Sequence, residues 1–401
     1  MTPVGNDREE TWRSLLAGRS GVGPITQFEP KGFGTRIAAE VRGFDPASVL
    51  EGKRLRRSAR FTQFAVAAAR EAVADAELDM ADEDQDRIGA VVNSAVAGFD
   101  TIERATRSLV DETLRRIGPH FVSSSLANMP ACEVAIDLGT RGPVSASALA
   151  CASGLYALIE ARRLILADEA DVVICGGTDA AITPVMFAGL ATMGVMTTRN
   201  DEPTRASRPF DRERDGFVFG EGAVIAVVES AEHARRRQKV PYARLAGGAL
   251  TCDAFHVSAP RPDGSGALSA IRLALGRAGV KPSDVDYICA HGTSTKANDR
   301  AETAAIRGAL GPAAGNVATS SPKSMVGHLI GAAGALSAMV CALAIRDGIV
   351  PPTTNLDYPD PECDLDYVPH QARKLAVRTA FANAFGFGGQ NCVAVLTSPS
   401  A

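Results

Sequence analysis

One cysteine is placed for nucleophilic chemistry. Cys151 lies in Ala150-Cys-Ala-Ser-Gly154, directly after the apolar, strand-like run Val144 to Leu149 and directly before a helical pattern from Leu155 to Ala167. A helix N-terminus offers unpaired backbone N–H groups and the positive end of the helix dipole, so a thiolate is expected there.

Two of the six histidines follow strand-like runs in polar or glycine-rich loops: His291 in His-Gly-Thr-Ser-Thr, and His328 in Lys323-Ser-Met-Val-Gly-His-Leu-Ile-Gly-Ala-Ala-Gly. If the chain is duplicated and its halves meet face to face, both imidazoles can approach Cys151. His120, His233 and His370 stand in polar or helix-end contexts and are assigned to the surface. No closely spaced Cys/His pairs build a zinc ligand set. Lys323 sits between an apolar strand and an apolar helix, where an unpaired charge is costly, so Glu302 is expected to pair with it. Asn383-Ala-Phe-Gly-Phe-Gly-Gly-Gln-Asn391 is read as a loop that can aim N–H groups at a developing oxyanion. It is not a phosphate loop. Gly176-Gly177 and Gly220-Glu-Gly222 read as tight turns. Of two basic clusters, Arg235 to Lys239 reads as a solvated helix end. The other, with Arg56, Arg57 and Arg60, could receive an acidic partner.

The elements that must position these residues recur. A helical pattern from Phe61 to Ala76, a turn and the apolar run Asp86 to Asn93 are echoed by Leu268 to Ala278, a turn and Asp286 to His291. Each half has a second strand-to-helix unit, Ser145 to Ala167 and Asn316 to Ile345. Loops at the carboxyl ends of such strands carry the chemistry of α/β folds. Segments near 96–130 and 178–215 lack strand alternation and are candidate pocket or interface insertions. With 401 residues, 46% of them apolar, and a formal charge of −4, the chain can bury a large core and has no global attraction to nucleic acid. No 18-residue apolar run is expected to span a membrane. The eight scattered cysteines and the polar N-terminus suit a reducing, cytoplasmic location.

Taken together, ACASG around Cys151, AHGTSTKAND around His291, SSPKSMVGHLIGAAG around Lys323 and His328, and NAFGFGGQN near the C-terminus resemble the elongating 3-oxoacyl-acyl-carrier-protein synthases. These are the condensing enzymes of fatty acid and polyketide synthesis, within the thiolase-like superfamily. TRNDEPTRASRPFDRERDGFVFGEGA (198–223) and VPPTTNLDYPDPECDLDYVPH (350–370) extend the resemblance to nearly the whole chain. It implies a thiolase-like α/β fold in which two duplicated halves, 1–240 and 241–401, pack as a layered αβαβα sandwich. The implied reaction is decarboxylative Claisen condensation of a Cys151-bound acyl chain with malonyl-acyl-carrier protein. His291 and His328 would serve malonyl decarboxylation, with Lys323 and Glu302 supporting them. Phe387, between Gly386 and Gly388, would gate the site, and its N–H with that of Cys151 would form the oxyanion hole. Thr293 and Thr295 would meet the pantetheine arm, Asp253 and His256 would belong to a second mobile loop, and Ile102, Met186, Leu190 and Met193 would line the acyl pocket. Leu190 stands where some relatives have phenylalanine, which implies room for medium or long chains.

The resemblance further implies an acyl carrier protein as partner, no cofactor or metal of the enzyme's own, and a dimer formed with an identical or ketosynthase-like subunit near the strand preceding Cys151. MTPVG matches the family just after its first strand, expected centrally in the first sheet, so the recorded start is too late or something else fills the gap. Two alternatives are a non-catalytic chain-length-factor-like subunit, which lacks the nucleophile, and a degradative thiolase, which needs a second cysteine where Cys392 does not fall.

Overall fold

The computed structural model describes residues 1–111 and 117–399, so part of the first insertion, 112–116, lies outside the described residues. Strands buried along their whole length fix the centre of each half, as expected where helices cover both faces. The first sheet holds β1 (Ile88–Asn93), β2 (Val144–Ser145), β3 (Val172–Asp179) and β4 (Gly222–Glu229) in the order β2-β1-β3-β4, with β4 antiparallel. The second holds β5 (Arg244–Cys252), β6 (Tyr287–Cys289), β7 (Ala318–Ser320), β8 (Thr379–Gly386) and β9 (Gln390–Thr397) in the order β5-β9-β8-β6-β7. Here β9 is antiparallel to both neighbours. The sequence β2-β1-β3-β4 therefore repeats as β7-β6-β8-β9.

Among the described residues only the second sheet has an outer strand, β5, beside β9. The corresponding position in the first sheet is the outer edge of β4, where Met1 exchanges two backbone hydrogen bonds with Ala223, each 3.0 Å. This corrects the expectation of a central gap: β1 and β3 pair directly along the whole of β1.

The helices form three layers around the sheets. On the outside of the first sheet are α1 (Arg60–Asp75) and α2 (Met129–Leu138), whose Ala65, Val66, Ala69 and Val134 pack on Ala90, Val92 and Ile174. Between the sheets run α3 (Ser153–Leu166) and, C-terminal in the chain, α6 (Ala333–Asp347); they pack on Val91, Val173 and Cys175 from one side and on Ala380, Ala382 and Ala394 from the other. The second sheet's outer face carries α4 (Ser265–Ala278) and α5 (Lys296–Leu310). Successive strand residues alternate between layers, which is the period-two geometry of a pleated sheet. The result is an αβαβα sandwich.

Ile330 to Asp347 is long and apolar enough to cross a membrane, contrary to expectation. In the fold this segment is mostly buried, because α6 has a sheet on either side and must be apolar all round. Other local expectations change too. The run before Cys151 is a strand for only two residues, and Asn383 to Gly386 belongs to β8, leaving just 387–389 as the turn. Gly176 and Gly177 lie inside β3, where neighbouring backbone leaves no room for a side chain. His233 is buried, its ring bridging Glu229 at 2.5 Å and Glu83 at 2.9 Å, because these carboxylates replace the water a surface histidine would use.

The two halves touch most closely through glycines. A methyl group on Gly177 would lie 2.3 Å from the Gly331 carbonyl oxygen and 2.8 Å from Gly154 Cα. Gly177→Ala is therefore expected to destabilise the protein by about 1–3 kcal/mol. Equilibrium urea unfolding should show a lower midpoint at unchanged slope.

Candidate active site

Cys151 sits in a short 3-10 turn, Ala150–Ala152, that feeds α3. Ala150 adopts φ +46, a conformation non-glycine residues hold only under constraint. The constraint is visible. Ser153 Oγ donates to the Ala150 carbonyl at 2.7 Å and accepts the Leu149 N–H at 2.9 Å, while buried Asn93 accepts the Ser147 N–H and donates to the Ser153 carbonyl. Neither role is evident from the sequence, where the one signal is a polar residue, Asn93, closing the apolar run of β1.

The sulfur of Cys151 and one ring nitrogen each of His291 and His328 lie within 4.8 Å of one another, all three residues buried. The two imidazoles meet edge to face, 5.4 Å apart at 82°. His328 is held by the strand-like pairing of its backbone with Phe219, and its Nδ1 accepts the Ile330 N–H at 3.2 Å. The proton of the neutral ring is then on Nε2, which has no partner among the described residues. His291 follows β6, and its Nδ1 is likewise without a partner.

Glu302 does not pair with Lys323. From α5 it accepts the N–H groups of His291 at 2.7 Å and Gly292 at 2.8 Å and the Asn383 amide at 2.9 Å. Those donors already occupy its oxygens, so it braces the turn that carries His291. Among the described residues Lys323 has no carboxylate within 4.0 Å. Burial lowers its pKa, partly opposed by the more distant charges of Glu302 and Asp299.

Burial also sets the remaining protonation states. It pulls both histidines well below the usual imidazole range, assisted by the Lys323 ammonium. It pushes the Cys151 thiol up to about 11, against the opposing pull of Lys323 and of the Phe387 and Cys151 N–H groups. The expectation of a resting thiolate at a helix N-terminus is thus overturned, because loss of solvation outweighs the dipole. What rests in the site is a thiol beside two neutral imidazoles. The donor set has zinc-ligating residue types, but the field of Lys323 acts on all three groups and opposes a dication there.

The Phe387 and Cys151 N–H groups both bear on the sulfur. Gly386 lies against this corner: a Cβ there would fall 2.7 Å from the Leu149 carbonyl. The 387–389 turn is clasped by the second loop, through Asp253 N–H to the Gly389 carbonyl and Gly388 N–H to the Val257 carbonyl, each 2.8 Å. Asp253 is further fixed by Asn391 and the Arg261 N–H, while His256 is exposed and caps Ser258 and Ala259. Thr293 and Thr295, on the loop between His291 and α5, share a 2.9 Å hydrogen bond between their hydroxyls.

The remaining residues divide. Leu190 and Met186 join an apolar cluster with Phe187, Phe217, Phe219 and Ile330 that reaches the His328 loop. Ile102 and Met193 are 42% and 44% exposed and are not among the residues of that buried cluster. Arg60 forms two hydrogen bonds to buried Glu221, and Arg57 pairs with Glu133, so both are tied to carboxylates of the fold instead of standing free at the surface. Arg56 and Lys53 are exposed and have no ion pair among the described residues.

Comparison with known proteins gives a consistent answer. The profile of the Beta-ketoacyl synthase, N-terminal domain matches residues 1–234, and that of the Beta-ketoacyl synthase, C-terminal domain matches 242–357. The chain is 46% identical to a 3-oxoacyl-[acyl-carrier-protein] synthase 2 of Synechocystis sp., covering 98% of this chain and 94% of that protein. It is 44% identical to the protein of the same name from Coxiella burnetii, over 99% and 96%. Among solved structures it is similar to a ketosynthase described as in complex with its type II polyketide synthase acyl-carrier protein and bound to the hexaketide (TM-score 0.92, 33% identity, 99% and 97% covered). The ishigamide ketosynthase/chain length factor is comparable (TM-score 0.91, 37% identity, 99% and 96% covered).

The depressed histidines link stability to pH. Below about pH 6.5 the unfolded chain takes up protons at His291 and His328 that the folded protein refuses, so acidification favours unfolding. The buried, raised acids Asp179 and Glu302 have the opposite sign in a lower window, so the comparison must isolate the imidazoles. Relative to a His291→Asn/His328→Asn variant, the parent should lose up to about 1.4 kcal/mol per histidine per pH unit below 6.5, measured by urea unfolding at pH 5.5 and 7.5.

Proposed function

This chain belongs to the beta-ketoacyl synthase family, and on that premise we propose how its buried Cys-His-His site performs the family's condensation. The enzyme is a 3-oxoacyl-acyl-carrier-protein synthase, an acyltransferase of fatty acid or polyketide synthesis. The observation that carries the assignment of roles is the convergence of one thiol, two neutral imidazoles and two backbone N–H groups in one buried cluster.

In the first half-reaction Cys151 attacks the carbonyl of an acyl-carrier thioester, and its proton passes to the ring nitrogen of His291 within reach of the sulfur. The N–H groups of Phe387 and Cys151 hold the oxyanion. Collapse expels the carrier thiolate, which takes the proton back from His291. In the second, the malonyl thioester loses carbon dioxide, and the electron pair of the broken C–C bond becomes an enolate. His328 Nε2–H and a His291 N–H donate to its oxygen. The enolate carbon attacks the acyl carbonyl, the Cys151 sulfur leaves, and uptake of one proton restores the thiol. Lys323 sets the positive field of the chamber, and Glu302 fixes the His291 turn.

The acyl carrier protein would dock by its acidic surface on Lys53 and Arg56 and pass its pantetheine arm beside Thr293 and Thr295, so that the enzyme needs no cofactor of its own. The acyl chain would enter the Met186 and Leu190 cluster, where leucine in place of a bulkier ring would admit medium or long chains. Exposed β2, with exposed Leu109, Val110, Val122, Leu126 and Ile136, supports a dimer in which a second, identical or ketosynthase-like subunit covers this apolar region. A cytoplasmic location fits the free cysteines.

Intact-mass analysis with acyl- and malonyl-carrier substrates tests the roles. Cys151→Ala should take up no acyl group. Cys151→Gln should still release carbon dioxide from malonyl carrier without condensation, and a silent Gln variant would remove the two-histidine mechanism. For docking, Lys53→Glu/Arg56→Glu should raise KM for the carrier about tenfold at low salt, the difference shrinking as ionic strength rises. A salt-independent change would exclude docking by charge.

A further inference from the structure

A buried carboxylate without a part in the proposed chemistry lies beneath the loops that carry the reacting groups. Asp179 ends β3 and is fully buried. Its Oδ1 accepts from Ser94 Oγ at 2.5 Å and the Val96 N–H at 3.2 Å; its Oδ2 accepts from the Ala95 N–H at 3.1 Å and the Gly331 N–H at 2.7 Å. These four donors saturate both oxygens. Three come from the loop after β1, whereas Gly331 belongs to the other half and lies two residues before α6.

Gly331 is pressed against this carboxylate. A Cβ at that position would lie 2.4 Å from Asp179 Oδ2 and 2.8 Å from the Ala95 nitrogen. The preceding residue, Ile330, has φ +49. A β-branched side chain adopts this left-handed conformation only where its surroundings hold it. The Ile330 N–H, in turn, is the group that donates to His328 Nδ1 at 3.2 Å. A continuous path therefore runs from carboxylate to peptide to imidazole.

We propose that Asp179 is a positioning residue for His328: by anchoring the Gly331 N–H it holds Ile330 in the left-handed conformation and thereby fixes the Nε2–H tautomer that donates into the acyl chamber. It acts through the Ile330-Gly331 peptide and not on the substrate. Burial lifts the Asp179 carboxyl to about 6, so with its four donors it is ionised at neutral pH, the state that accepts from all of them. The kinetic consequence rests on the proposed condensation, whereas the tautomer does not.

Long-range proton-nitrogen NMR on protein labelled with 15N-histidine reads the tautomer directly. The parent should show His328 as Nε2–H. Asp179→Asn keeps the side-chain shape but turns one acceptor oxygen into a donor NH2, and should give a mixture of tautomers. Gly331→Ala, which crowds the same contact from the other side, should do likewise and serves if the first variant does not fold. Ser94→Ala removes one donor but leaves the Gly331 bond, and should keep the parental tautomer. In a Cys151→Gln background, Asp179→Asn should slow malonyl decarboxylation about 10- to 100-fold. Acyl loading of otherwise unaltered Cys151 should fall less than about threefold, since His328 Nε2 is not used in that step. A parental tautomer in a folded Asp179→Asn or Gly331→Ala protein would overturn the proposal, as would equal losses in both half-reactions. No decarboxylation in the parent background would count against the proposed reaction instead, and the NMR measurement would still decide the role of Asp179.

Discussion

The Cys-His-His cluster exists because two helix N-termini can approach without side chains between them. A Cβ on Gly154, at the start of α3, would lie 2.5 Å from the Gly331 carbonyl, and one on Gly334, in α6, would lie 2.7 Å from Leu155 Cβ. Cys151 is carried into α3 and His328 into α6, so their separation is set by this helix crossing. Gly177 in β3 completes the contact from the sheet side. Larger residues would push the halves apart and take the thiol away from the imidazoles.

Close approach excludes water, and exclusion of water decides the charges. Thiol and imidazoles are neutral at rest, so charge arises only as bonds change, next to donors already in place. The anions retained nearby, Glu302 and Asp179, are surrounded by backbone and side-chain donors that replace their hydration. Glu302 spends two of its bonds on the turn that bears His291, and Asp179 spends one on Gly331, three residues after His328.

A second set of buried charges fixes the outer wall. Arg214 is fully buried, paired with Asp299 at 3.3 Å and Asp360 at 2.7 Å and bonded to the Thr295 and Lys296 carbonyls. Asp299 also accepts the Phe210 N–H, and Ser294 Oγ accepts the Arg208 N–H. The 198–223 segment is thereby fastened to the loop that follows His291. Removing one partner would leave an uncompensated charge, which is why such a network resists piecemeal change.

The strand-helix echo, the nucleophile's junction and the loops of the two histidines were legible in the sequence, because apolar periodicity and local composition are properties of neighbouring residues. The partners of the charged groups were not. Lys323 and Glu302 share a neighbourhood without pairing, Arg57 and Arg60 are claimed by Glu133 and Glu221, and His233 is buried between two carboxylates. Nor was the thiol's protonation state, since burial raises it by more than its place before a helix can lower it. Periodicity fixes what a segment becomes; only the packing of segments distant in sequence determines how much water is lost and which donors replace it, and on those two quantities the chemistry of this site depends.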